Sequence, residues 1–176
     1  PKINALYTIC NLAQEYFSKQ LLSAAGKTAL VYLHNRGINL GLIQEFSLGF
    51  APKDSSELWD ILKKNNFYDE YLLEIGLQGY SEKGFFYNFF QNRVIFPIKN
   101  TQGKIIAFGG RALGDEQPKY LNSKESSVFS KRANIYGLSQ SVVNLKNNNL
   151  IVVEGYMDVV SLYKYATKTF HCVTKY

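Results

Sequence analysis

Apolar positions in the first half of the chain recur every three or four places. Leu6, Ile9, Leu12, Ala13, Tyr16 and Phe17 share one side of a helix predicted over residues 4–22. Gly26 interrupts it, and Ala29, Leu30 and Leu33 open a second helix that closes near Arg36-Gly37, where glycine accepts the left-handed cap. Asn39 is placed to cap a third, short helix carrying Leu42, Ile43 and Phe46. Phe50-Ala51-Pro52 breaks the pattern. Asp54 with Glu57 then fits a capping box ahead of Leu58, Trp59, Ile61 and Leu62, and another helix runs from Asp69 to Ile75 and stops at Gly76. Core packing is the expected role of all these apolar side chains, Trp59 included.

From Tyr80 the period changes. The aromatic run from Phe85 to Phe90 leads into Arg93-Val-Ile-Phe-Pro-Ile98, Asn100 to Gly103 forms a turn, and Lys104 to Phe108 returns as the second strand of a hairpin. Pro97 has no N–H to donate, which places it at a sheet edge or a bulge. Gly109-Gly110-Arg111 is expected to end the second strand. No period holds from there to Phe129, and irregular stretches of that length in compact domains tend to be functional or disordered. Tyr120, Leu121, Val128 and Phe129 nevertheless need something to pack on. Ser139 is placed to cap a helix through Val143, and Asn147 to Asn149 form a turn.

The next stretch organises the chemistry. Leu150 to Val153 is a continuous apolar run, the pattern of a strand buried on both faces, and Glu154 marks its carboxyl end because an unpaired charge does not belong in a central strand. Gly155 permits a tight turn, Asp158 begins a helix near its positive end, and residues 169–174 read as the following strand. Ligands of open α/β sheets collect at this edge of the strands, although a solvated loop glutamate after an ordinary βα unit fits the same pattern. The fold class is α/β, with a mostly helical start, a hairpin-containing α/β part and then a βα unit.

Composition changes the picture only partly. With 176 residues, 46% of them hydrophobic, the chain can bury a real core and is expected to form one or two small domains. Its 13 Tyr and 12 Phe are numerous enough for some rings to serve binding instead of packing. Twenty Lys and Arg against 14 acidic residues give a net charge of +6, which suits an anionic partner without identifying one. Cys10 and Cys172 show no metal-ligand spacing, so neither a disulfide scaffold nor a zinc site is expected, and His34 and His171 are too isolated for a metal site or a triad. No secretory leader or membrane-length apolar run is visible, the pattern of a soluble cytoplasmic protein. An initial Pro without Met points to a segment of a longer chain.

Among candidate groups, Glu154 can bind a divalent metal or move a proton, but metal-assisted phosphoryl transfer needs several hard oxygen ligands. Asp158 is a weaker metal candidate, since its carboxylate can cap the helix instead. Arg93, Arg111, Lys119, Lys124, Lys131 and Arg132 bracket the irregular stretch and, if they converge, would hold a single-stranded backbone; a merely solvated basic face is the alternative. Gly109-Gly110 is too short for a phosphate cradle, and neither a Walker motif nor GxGxxG is present.

These motifs carry a resemblance. Glu45-Phe-Ser-Leu-Gly-Phe-Ala-Pro52, Arg93 to Ile98, Gly103 through Arg111, Pro118-Lys-Tyr-Leu-Asn-Ser123, Ile135-Tyr-Gly-Leu138 and Val152-Val-Glu-Gly-Tyr-Met-Asp-Val-Val160 stand in an order that resembles the RNA-polymerase core of bacterial, DnaG-type DNA primases over about residues 5–166. The resemblance implies an amino-terminal subdomain over 1–147 and the first βα unit of a truncated Toprim fold from 148. It implies Glu154 as the first Toprim acid, catalytic or metal-organising. Arg93, Arg111, Lys119, Asn122 and Lys131 would face the groove that holds template, primer or nucleoside triphosphate. The parent reaction would be attack of an RNA 3′-hydroxyl on a nucleoside triphosphate with Mg2+ or Mn2+ present, in a bacterial cytoplasm, with single-stranded DNA, RNA primer and a replicative helicase as partners, the helicase through a region this segment lacks. Departures include neutral Gln91 and Ala133 where the family often carries basic residues, Ala166 in place of Gly, and His171 to Tyr176 where the family's next strand ends in Gly-Thr. The downstream acidic Toprim motifs and the amino-terminal zinc module lie outside the sequence, so the isolated segment is expected not to make primers. Two other readings are a different Toprim enzyme, such as a topoisomerase or nuclease, and a noncatalytic nucleic-acid-binding fragment.

Overall fold

The computed structural model describes residues 1–141, 149–165 and 170–174. A long helix, α1 (Lys2–Leu21), is followed by a 3-10 turn at Ala24–Gly26, α2 (Lys27–Asn35) and α3 (Leu40–Glu45). The expected signals act here: Gly37 takes a left-handed φ of +75° after α2, and the Asn39 side chain accepts from the Leu42 N–H at 3.0 Å. A short strand β1 (Gly49–Ala51) replaces the expected break. Next come α4 (Ser56–Lys64) and α5 (Asp69–Ile75), the latter closed by Gly76 at φ +75°. The capping box is not formed. Asp54 accepts from the Ser56 N–H, while Glu57 turns outward to Lys19 and Gln20.

Strands β2 (Gln78–Tyr80) and β3 (Phe86–Asn88) make a small antiparallel hairpin. The main antiparallel sheet has the order β1, β4 (Arg93–Lys99), β5 (Ile105–Ala112), β6 (Tyr120–Asn122). Pro97 therefore lies on an interior strand, but β1 pairs β4 only as far as Ile95 and a bulge follows at Ile98/Lys99, so its missing donor breaks no rung with β1. β5 does not end at the glycines; it continues through them to Ala112, and β6 supplies order inside the stretch expected to be irregular.

Helices cover both faces of this sheet. Val94, Phe96, Ile98 and Ala107 point to one core, shared with Leu33, Ile43, Phe46, Tyr136 and Tyr156. Ile95 and Phe108 point to the other, shared with Ile9, Ala13, Phe17, Leu58 and Leu72. Period-two alternation along β4 makes this division, and a one-residue slip would exchange the two sets. The adjacent glycines serve one face each. A Cβ on Gly109 would lie 2.5 Å from the Tyr156 ring, and one on Gly110 would lie 2.7 Å from Phe90.

Helix α6 (Leu138–Ser141) begins before Ser139, whose hydroxyl donates to Gln140 instead of capping. Its expected continuation to Val143, the turn residues Asn147 and Asn148, Ala166 and Thr169 lie outside the described residues. β7 (Asn149–Val153), α7 (Tyr156–Tyr163) and β8 (Phe170–Thr174) form a parallel βαβ unit. The expectation that β7 is buried on both faces does not hold: Ile151 is 40% and Val152 69% exposed, because only β8 pairs with it among the described strands. Buried Met157, Val159 and Val160 instead attach α7 to the first core.

Candidate functional site

One tyrosine ties the turn that carries Glu154 to the main sheet. Tyr156, at the start of α7, is 5% exposed, and its ring stacks on Phe96 at 5.3 Å and meets Tyr136 edge-on at 4.8 Å. Its hydroxyl donates to Asn122 Oδ1 at 2.6 Å. Burial pushes the phenol above its ordinary value, so it remains a donor at neutral pH. Two residues earlier, Glu154 is the first residue beyond β7, exposed and without a hydrogen bond or ion pair among the described residues. Asp158 is engaged: its Oδ2 accepts from the Gly155 N–H at 3.1 Å, the helix-cap alternative.

Strand register places the remaining candidates. Asn122 pairs with Gly109 and Tyr120 with Arg111, so Asn122 and Arg111 point to the same face of the sheet as Tyr156. The Arg111 guanidinium lies 4.2 Å from the Tyr32 ring centre, and Arg36, at the end of α2, approaches the same ring at 5.5 Å. Arg111 Nη1 donates to Ala112 O at 2.6 Å, and its Nε is buried without a hydrogen-bond partner among the described residues. Two cations thus share one aromatic ring. Arg36 was missed in the sequence because a cation before a helix-stopping glycine reads as ordinary capping; only the fold brings it to Arg111.

Arg93 does not join them. It pairs with Ala112, one register position from Arg111, and so points to the opposite face, where it is 3% exposed. Its Nη1 donates to Pro118 O at 2.7 Å, Lys119 O at 3.4 Å and Gly110 O at 3.5 Å. Burial pulls the guanidinium below its ordinary value, opposed by the Glu116 carboxylate. Arg93 shapes the loop that presents Lys119. Lys119, Lys124 and Arg132 are exposed, while Lys131 is half-buried with its backbone N–H on Glu125 at 2.8 Å. Their loop is tied to α5 by Glu74, which accepts from the Ser127 N–H at 2.8 Å and pairs with Lys2 at 2.7 Å.

Among the described residues no three His, Cys, Asp or Glu side chains gather as metal ligands. Glu154 alone does not fit a divalent ion, which takes several oxygen ligands. Cys10 is fully buried and His34 is an exposed helix-end side chain; the side chains of His171 and Cys172 lie outside the described residues. No helix among the described residues is long and apolar enough to cross a membrane.

Comparison with known proteins identifies the family. Residues 16–142 match the family model of the DNA primase catalytic core, N-terminal domain. The DNA primase of Salmonella typhimurium is 40% identical over 161 residues, covering 91% of this chain and 28% of the relative. That of Clostridium acetobutylicum is 42% identical over 164 residues, covering 93% and 27%. A solved DnaG primase catalytic domain bound to single-stranded DNA superposes with a TM-score of 0.86 at 34% identity, over 99% of this chain and 56% of that one. The chain thus spans about a quarter of the length of the curated relatives it matches. By the match over residues 16–142 and the shared fold, the chain belongs to the family of the amino-terminal domain of the DNA primase catalytic core.

Proposed function

We propose that this chain is part of a DNA primase, a DNA-directed RNA polymerase that makes short RNA primers on single-stranded DNA. The observation that carries the reading is the Tyr156–Asn122 hydrogen bond. It fixes the β7–α7 turn, with Glu154 at its mouth, against the sheet face that bears Asn122 and Arg111. Residues up to 147 form the amino-terminal subdomain, and the βαβ unit from 148 begins a Toprim domain; the exposed Ile151 and Val152 suit a strand that further chain would cover. Glu154 would be one of several carboxylates around Mg2+ or Mn2+, the others lying in the part of the relatives that this chain does not span. The ion would supply charge stabilisation at the transferring phosphoryl group.

Within this chain the work is positioning. Arg111, Asn122, Lys119, Lys124 and Lys131 hold template, primer or nucleoside triphosphate phosphates, and Arg93 braces the Lys119 loop from beneath. The bond formed joins an RNA 3′-hydroxyl to the nucleotide α-phosphate, with pyrophosphate leaving. The replicative helicase would be met elsewhere in the whole protein.

Single-stranded DNA binding, measured against salt, tests the reading. Replacing Lys119, Lys124 and Lys131 together with Ala should weaken binding and flatten the slope of log K against log salt by roughly 2, as expected for three lost phosphate contacts. Glu154→Ala should leave binding intact and abolish primer synthesis by the whole protein. An unchanged slope would remove the lysines from the interface, and primer synthesis surviving Glu154→Ala would remove that carboxylate from the active centre.

A further inference from the structure

The hairpin β2–β3 carries a cluster of exposed rings that the basic face does not use. Tyr80, Phe85, Phe86 and Tyr87 are 60%, 70%, 48% and 45% exposed, although the chain has two cores in which apolar rings could be placed. Tyr80 and Phe86 are cross-strand partners in edge-on contact at 5.1 Å. Tyr87 is held differently. It pairs with Gly79, and a Cβ at that position would collide with the phenol end of the Tyr87 ring, so the glycine lets the ring lie across the hairpin backbone. A ring fixed in this way and still half open to solvent is preorganised for a flat partner.

That ring forms one wall of a cavity of about 330 Å³. Phe89, Gln91, Arg93, Glu116 and Pro118 contribute the rest of its lining that matters here. Its volume is at the lower end of small-ligand sites, room for a single ring system and not for a duplex. Its charge selects further. Hydrogen bonds from the Asn92 amide and the Gly114 N–H hold the Glu116 carboxyl below its ordinary value, so the wall carries a negative charge. The Arg93 Nη1 donor is already spent on backbone carbonyls. Beside the Glu116 carboxylate a neutral ring bearing amino or imide N–H groups finds acceptors. Lysines follow the two walls along the chain: Lys83 sits in the turn of the hairpin, and exposed Lys119 is next to the lining residue Pro118. An aromatic floor between lysines is the pattern of a single-strand track, in which cations hold the backbone and rings take the bases.

We propose that the cavity between the β2–β3 hairpin and the 116–118 loop receives one unpaired base of a single-stranded nucleic acid, stacked on Tyr87. The proposal rests on the reading that this chain binds a single strand, and extends the contact from the basic residues to the opposite face of the sheet. Phe86 and Tyr80 occupy the next register position and so face the other side of the hairpin, which leaves Tyr87 as the stacking ring of this site.

The test separates bases from backbone. Affinities of the chain for an oligothymidylate and for an abasic strand of equal length are measured with Tyr87→Ala and Tyr87→Phe. Tyr87→Ala should weaken the base-bearing strand roughly 5- to 100-fold, the range for one lost stacking partner, and leave the abasic strand unchanged. The salt slope should not move, because stacking releases no counterions. Tyr87→Phe should bind as the parent does. Equal effects of Tyr87→Ala on both strands, or none on either, would overturn the base site while leaving the backbone reading intact. Failure of the parent chain to bind either strand would overturn both. A stacking loss in Tyr87→Ala alongside an unaffected lysine triple variant would retain the base site and discard the lysines.

Discussion

Gly109→Ala isolates the contact that sets the Glu154 turn against the sheet. Gly109 lies inside β5 and is absent from the positive-φ glycines, so an alanine there meets no backbone strain. The penalty is steric. The new Cβ would stand 2.5 Å from Tyr156 Cε2, 2.8 Å from Cζ and 3.0 Å from the hydroxyl oxygen, against an ordinary carbon–carbon approach of about 3.5–4.0 Å. The ring must retreat by roughly 1 Å, yet Phe96 stacks on it, Tyr136 abuts it and Asn122 holds its hydroxyl. Overpacking of this kind costs about 1–3 kcal/mol. Breaking the hydroxyl bond adds about 1 kcal/mol, and the stiffer unfolded chain returns at most about 1 kcal/mol. A net loss of about 1–3 kcal/mol follows. Urea unfolding followed by Trp59, the only tryptophan, reads it from the opposite core. In a Tyr156→Ala background the space is free, and the same glycine substitution should be neutral or slightly stabilising. Equal losses in both backgrounds, with a coupling below about 0.5 kcal/mol, would refute the contact.

Two further outcomes concern stability and reactivity. Burial alone would raise the Glu74 carboxyl, but the Lys2 ammonium and the Ser127 N–H outweigh it and hold it down to about 2. Its folded value lies below the roughly 4.3 of an unfolded chain. The pair therefore stabilises the fold above that pH, and the contribution is lost as pH falls toward 2. Because Lys2 is 49% exposed, solvent screening reduces the effect to about 1 kcal/mol, and Glu74→Gln should flatten the acid limb of the stability curve by that amount. Cys10 is fully buried, and burial pushes its thiol far above its ordinary value, so peptide mapping should find it unalkylated until the chain unfolds. Rapid native labelling would contradict the α1 packing.

Local signals carried the helical half of the fold. Asn39, Gly37 and Gly76 act where the backbone itself needs a side-chain acceptor or a left-handed residue, and those needs are written in single residues. The strands β1, β2, β3 and β6 have three residues each, too short for a period to register, and they exist because partners elsewhere in the chain complete their hydrogen bonds. Gly109-Gly110 looked like a strand end since glycine usually weakens a strand; the approaching rings that require it lie 47 and 20 residues away, at Tyr156 and Phe90. The same distance hid the site. Glu154 could be located from the apolar run before it, whereas the meeting of Arg36 with Arg111 and the separation of Arg93 from both depend on register and helix placement.

That separation has a consequence for how the sheet is used. Residues 109–111 alternate across β5, so Gly109 and Arg111 belong to the face of Tyr156 and Asn122, and Gly110 belongs to the face of Phe90 and Arg93. One face holds Tyr156, Asn122 and an arginine that shares the Tyr32 ring with Arg36; the other opens toward the aromatic hairpin and the cavity lined by Tyr87, Arg93 and Glu116. The loop over residues 113–119 joins them, for Arg93 grips the carbonyls of Pro118 and Lys119 from beneath while β6 resumes at Tyr120 on the strand that carries Asn122. A strand of nucleic acid crossing this edge would leave its phosphates with the lysines and meet a flat ring on the far side. Arg93 lines that cavity and also holds the loop, so Arg93→Lys, which keeps the charge but loses the fixed fork of donors, should weaken base-dependent and backbone-dependent binding together.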